Sequence, residues 1–85
     1  MAWIKQSDRL PGVPTDREVR STVIHRLREN PYTQDHRIKV TVSEGVVELG
    51  GRVDSLAARE AASEDAWAVP GVFEVDNHLV VRAAA

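Results

Sequence analysis

The chain has 85 residues, eleven Lys or Arg against thirteen Asp or Glu, a formal net charge of −2 and no cysteine. That length limits it to one domain with one compact core, because a chain so short buries only about 60% of its unfolded surface. Without cysteine there is no disulfide framework and no thiolate metal site, and the near-balanced charge gives no electrostatic case for broad nucleic-acid binding.

Residues 1–14 read as an irregular lead-in, with turn and breaker chemistry at Pro11-Gly12-Val13-Pro14. The opening MAWIKQSDRLPG has no apolar stretch of the kind a signal peptide needs. With Met1 as the natural start a cytoplasmic protein is expected; in a mature or excerpted chain, a periplasmic one. No run approaches the roughly 20 apolar residues of a membrane span. Trp3 and Ile4 are large apolar groups on this tail. They are expected to lie over an apolar patch of the same domain, with docking on a partner as the alternative.

The domain proper is expected over residues 15–82, with 83–85 a fraying tail. Thr15-Asp16-Arg17-Glu18 is a capping box and predicts a helix from about Asp16 to Glu29, ended by Asn30-Pro31. Val19, Val23 and Leu27 form its buried stripe. Arg17, Arg20, Ile24 and Arg28 share the neighbouring face. Three guanidinium groups around a half-exposed isoleucine can hold an anionic head group, with the isoleucine touching acyl chains. An ordinary solvated helix face, with Ile24 at the core edge, is the plainer alternative.

Tyr32 to His36 reads as a loop. Ile38–Val42 and Val46–Val53 alternate with period two around Ser43-Glu44-Gly45, which predicts a hairpin with one apolar face. The outward set, Arg37, Lys39, Thr41, Val46, Glu48 and Arg52, has mixed signs and predicts cross-strand ion pairs. Gly50-Gly51 predicts a bulge, or close approach by a helix or another backbone. It is not a phosphate loop, because the Lys and spacing of one are absent.

Asp54 or Ser55 caps a second helix running to about Val69, with Ala58, Ala62, Ala66 and Val69 on the sheet side. Asp65, at the edge of that face, needs a partner, for which Arg59 is a candidate. Leu56, Glu60, Ser63 and Trp67 lie on the other side. Trp67 is expected to be covered by Trp3 and Ile4, or else to mark a contact surface. Pro70-Gly71 ends the helix. The last strand is expected over Val72 to about Arg82, with Phe73, Val75, Asn77, Leu79 and Val81 inward and Asn77 bonded to nearby backbone. The fold class is therefore α+β, in the order αββαβ: a three-stranded mixed sheet with both helices on one face. The third strand lies parallel beside the second or, alternatively, antiparallel beside the first.

Thr15 to Arg82 resembles the BON domain family (bacterial OsmY and nodulation). The resemblance rests on Gly45, Val46, Val47, Leu49, Gly51 and Val53, then Gly71, Val72, Val75, Asn77 and Leu79. It implies a small non-enzymatic module that contacts phospholipid membranes or partner proteins in envelope or osmotic-stress physiology. Asp65 stands where the family usually has a small apolar residue.

Catalysis is not expected. The serines lie in caps and turns, and His25, His36 and His78 fall on a helix, a loop and the open sheet face, with no convergence for a nucleophile, a cofactor or a metal. The leading expectation is a module that binds an anionic phospholipid surface or a protein partner through Arg17, Arg20, Ile24 and Arg28. The alternative is self-association or protein docking through Trp3, Leu56 and Trp67. Single-stranded nucleic-acid binding ranks below both, given Glu48, Glu74 and Asp76 on the open sheet and no outward aromatics.

Overall fold

The structure, a computed structural model, describes residues 13–82. Its elements are α1 (Asp16–Glu29), β1 (Ile38–Ser43), β2 (Val46–Val53), α2 (Leu56–Trp67), β3 (Glu74–Asn77) and β4 (Val80–Val81). The expected tail contact of Trp3 and Ile4 lies outside the described residues.

α1 begins where the capping box predicts. The Glu18 amide donates to Thr15 Oγ1 at 3.2 Å, and Glu18 Oε1 accepts from the Thr15 amide at 2.8 Å. Asp16, in the first turn, reaches across to the hairpin tip and accepts from the amides of Glu44 (2.8 Å) and Gly45 (3.1 Å). Those two residues have φ of 51° and 82°, the left-handed pair a two-residue hairpin turn requires. One carboxylate thus fixes the tip of the hairpin to the start of the helix. At the other end Thr33, 1% exposed, donates from Oγ1 to Leu27 O at 2.6 Å and satisfies a carbonyl left open by the end of the helix.

The sheet order is β1-β2-β3, with β2 central, the first of the two arrangements the sequence leaves open. β1 and β2 are antiparallel, and β3 and β4 both run parallel to β2. The single last strand expected over 72–82 is split. Its register survives the split, because Leu49 faces Asn77 and Arg52 faces Val80, so both chains advance three residues (52 − 49 = 80 − 77). The break lies opposite Gly50-Gly51. Asn77 turns its side chain to the Leu79 amide (3.0 Å) and to Arg59 O (2.9 Å), as the expected backbone bonding of a half-buried amide requires.

Both helices cover one face of the sheet. Val19, Val23 and Leu27 of α1 and Ala58, Ala62 and Ala66 of α2 meet Val40, Val47, Leu49, Val53 and Leu79 in one core. The alanines are fully buried, so the α2 backbone lies close against the strands. The inward row of the last strand is shorter than expected. Leu79 is buried and Val75 half-buried, but Phe73 is 75% exposed and Val81 is also exposed. Phe73 precedes β3, tied through its amide to Gly45 O at 2.7 Å, beyond the helices' cover. Asp65 is paired with Asn30 Nδ2 at 2.7 Å and not with Arg59, whose guanidinium is engaged at the sheet edge.

Candidate functional site

Three of the four predicted α1 residues gather at one place. Arg20, Ile24 and Arg28 form the helix side of an open cleft of about 480 Å³, and Arg37, Ile38 and Lys39 form its β1 side. Arg17 does not line this cleft; it lies exposed on the N-terminal half of α1. The geometry follows from the fold. β1 is an edge strand, and α1 packs over its inner face, so the side of the helix next to the buried stripe looks along the outer edge of the strand.

Within the cleft, Arg20 is held. Its Nε donates to Val40 O at 2.9 Å, which fixes the guanidinium against the strand. Arg28, Arg37 and Lys39 are exposed and make no ion pair among the described residues. Ile24 and Ile38 are half-buried and pack against the core, giving the cleft an apolar floor. Among the described lining residues none is acidic. Arg28 and Arg26 also stand in the last turn of α1, where a cation complements the helix dipole.

The expected cross-strand ion pairs do not form. Among the described residues the ion pairs are His25 with Glu29 (3.3 Å) and His36 with Asp54 (3.2 Å). On the sheet, Glu48 and Asp76 are register neighbours, and Glu74 lies two residues along from Asp76. The cause is the register: Lys39 stands opposite Gly50 and Glu48 opposite Thr41, so no basic residue of β1 faces an acidic residue of β2, while Glu74 and Asp76 lie on β3, beyond β2. Like charges are therefore collected, basic along the α1–β1 side and acidic across β2 and β3. A nearly neutral sum hides this separation. Arg37 and Lys39, read from the sequence as part of a mixed outward set, are cleft-lining residues that the helix-face pattern does not include; the edge position of β1 is the signal that joins them to it.

The predicted protein-contact residues stay apart. Leu56 and Trp67 are 57% and 52% exposed on the outer side of α2. They occupy its first and last positions, so a helix rise of 1.5 Å per residue separates them by roughly 16 Å. Trp3 lies outside the described residues. The histidines do not converge: His25 and His36 are in the pairs above, and the His78 amide donates to Leu49 O at 2.8 Å. Among the described residues no group of three or more His, Asp or Glu could hold a metal ion, and no helix is long and apolar enough to cross a membrane.

Comparison with known proteins agrees with this architecture. The family model described as BON domain matches residues 15–83. Osmotically-inducible protein Y of Escherichia coli (strain K12) is 34% identical over 71 residues, which is 84% of this chain and 35% of that protein. The chain thus spans about a third of the length of the curated relative it matches.

Proposed function

The chain belongs to the BON domain family, and from that premise we propose that it is a non-catalytic binding module whose ligand is an anionic phospholipid surface, met through the α1 side of the domain. Members of this family are generally non-enzymatic. The observation that supports the reading is the clustering of Arg20, Arg28, Arg37 and Lys39 around an apolar floor of Ile24 and Ile38, with no carboxylate among the described residues that line the cleft. Guanidinium groups take phosphate oxygens in pairs, and a half-buried isoleucine beside them suits the boundary between head group and acyl chain. Arg17 extends the same charge along the helix. The name of the osmotically inducible relative favours a role in osmotic-stress physiology.

Co-sedimentation tests this. The protein is expected to pellet with phosphatidylglycerol vesicles at low salt and not with phosphatidylcholine vesicles. The exposed pair of changes Arg17→Glu and Arg28→Glu is expected to abolish pelleting while thermal unfolding stays cooperative, its midpoint shifted only slightly by the altered charges at the helix ends. Equal pelleting with both lipids, or none with either, would reject the reading.

A second reading, self-association or protein docking through Leu56 and Trp67, is supported by the exposure of both side chains. It predicts a mass that rises with concentration in sedimentation equilibrium and falls back to a monomer's on Trp67→Ala.

A further inference from the structure

The two edges of the sheet are closed unequally. In a hairpin joined by a two-residue turn the flanking pair, here Ser43 and Val46, is hydrogen-bonded. By alternation the N–H and C=O groups of Ser43, Thr41 and Lys39 face β2, and those of Val42, Val40 and Ile38 face outward. The bond from Arg20 Nε to Val40 O, 2.9 Å, agrees with that direction. On the opposite edge the outward groups are more fully occupied. Arg59 donates from Nε to Leu79 O (3.0 Å) and from Nη2 to Asn77 O (3.3 Å), while the Leu79 amide is taken by Asn77 Oδ1 (3.0 Å). Among the described residues, only Val40 O of β1 is engaged in this way. Among the described residues no loop or side-chain hydrogen bond reaches the outward groups of Ile38 or Val42.

This half-open edge forms one wall of the basic cleft. Antiparallel pairing of two copies of β1 brings Lys39 opposite or diagonal to its counterpart when the register is centred on Lys39 or Val40, and like charges so placed destabilise a strand pair. The same charges favour a partner strand of opposite sign.

From these placements we infer that the β1 edge is a docking site for an extended acidic peptide segment of another protein, which adds as a further strand beside β1. An incoming N–H takes over Val40 O. Arg37 and Lys39, on the open face of the sheet, pair with carboxylates on that face of the incoming strand. The side chains that alternate with them point to the helix face, where Ile24 and Ile38 receive apolar groups. A neutral strand leaves Arg37 and Lys39 unpaired and is disfavoured. This goes beyond binding of a lipid head group, which needs the charges but not the outward amides.

Amide hydrogen exchange on the whole chain, with three soluble probes and one vesicle probe, tests it. A short alternating Glu-Val peptide is expected to slow exchange at Ile38 and Val42 and to leave Lys39, Thr41 and Ser43, already paired with β2, unchanged. An alternating Glu-Pro peptide carries the same charge without strand-forming amides and is expected to give no slowing; inorganic phosphate likewise. Val42→Pro removes one outward donor without touching the ladder to β2 and is expected to abolish peptide binding while vesicle pelleting persists. Should that variant unfold, Arg37→Glu with Lys39→Glu, both exposed positions, is expected to abolish peptide binding in a folded protein. The inference is overturned if the Glu-Val peptide fails to bind at low salt, if Ile38 and Val42 are not selectively slowed, if the Glu-Pro peptide or phosphate reproduces the slowing, or if the folded variants bind the peptide unchanged.

Discussion

Gly50 and Gly51 are adjacent, yet only one of them is required. Gly51 has φ of 122°, and a Cβ built on it would lie 2.7 Å from Arg37 O; a Cβ on Gly50 meets nothing within 4 Å. Gly51→Ala is therefore expected to destabilise the domain by about 1–3 kcal/mol from backbone strain alone, with the clash against Arg37 adding to it. Gly50→Ala should stay within about 0.5 kcal/mol of the parent. Urea unfolding of both variants checks this, and equal losses would refute the assignment. In sequence the glycine pair reads as a bulge, or as close approach by a helix or another backbone; the structure brings the Arg37 backbone against Gly51, and which glycine makes the contact is not legible because φ leaves no trace in composition. Thr33 was not legible at all. In the segment NPYTQDH no periodicity marks it as buried, yet its hydroxyl closes the end of α1. Thr33→Val keeps the shape and leaves Leu27 O without that donor, at an expected cost of about 1–3 kcal/mol in the same assay.

At the scale of elements, an arginine from each helix reaches a different edge of the sheet: Arg20 of α1 donates to Val40 O, and Arg59 of α2 donates to Leu79 O and Asn77 O. Exposed strand edges invite pairing with other chains, and these side chains occupy them. Arg59→Ala removes two bonds and is expected to cost more than Arg20→Ala, about 1–3 kcal/mol against about 0.5–1.5 kcal/mol. Thermal unfolding by circular dichroism ranks them, and the reverse order would contradict the edge geometry. Both helices and the hairpin were legible, because capping residues and apolar periodicity act locally; the neighbour of the last strand was left open between β2 and β1, because strand order is a tertiary property. The split between β3 and β4 was not legible. Val75, Asn77 and Leu79 alternate like one continuous strand, and period-two patterning records where side chains point, not which backbone groups are diverted to α2. Asn77 was the visible clue, since a half-buried amide must be satisfied.

For the whole molecule, charge placement matters more than charge sum. With a net charge of −2 the chain gives little long-range attraction for anions, so the proposed attraction for an anionic surface rests on the local cluster at the α1–β1 side. Arg20, Ile24 and Arg28 were legible as a group because they repeat on one helix face; Arg37 and Lys39 were not joined to them, because only the tertiary fold brings the start of β1 beside α1. Exposed charges act over a Debye length of about 8 Å at physiological salt, so vesicle binding is expected to weaken as salt rises from low to physiological concentration. Salt-independent pelleting would point instead to apolar contact through Leu56 or Trp67. Amide chemical-shift mapping during titration with phosphatidylglycerol bicelles decides most directly which side of the domain makes contact. The largest shifts are expected in residues 20–28 and 37–39, with α2 quiet; shifts centred on Leu56 and Trp67, with α1 unmoved, would contradict the assignment of function to the basic cleft.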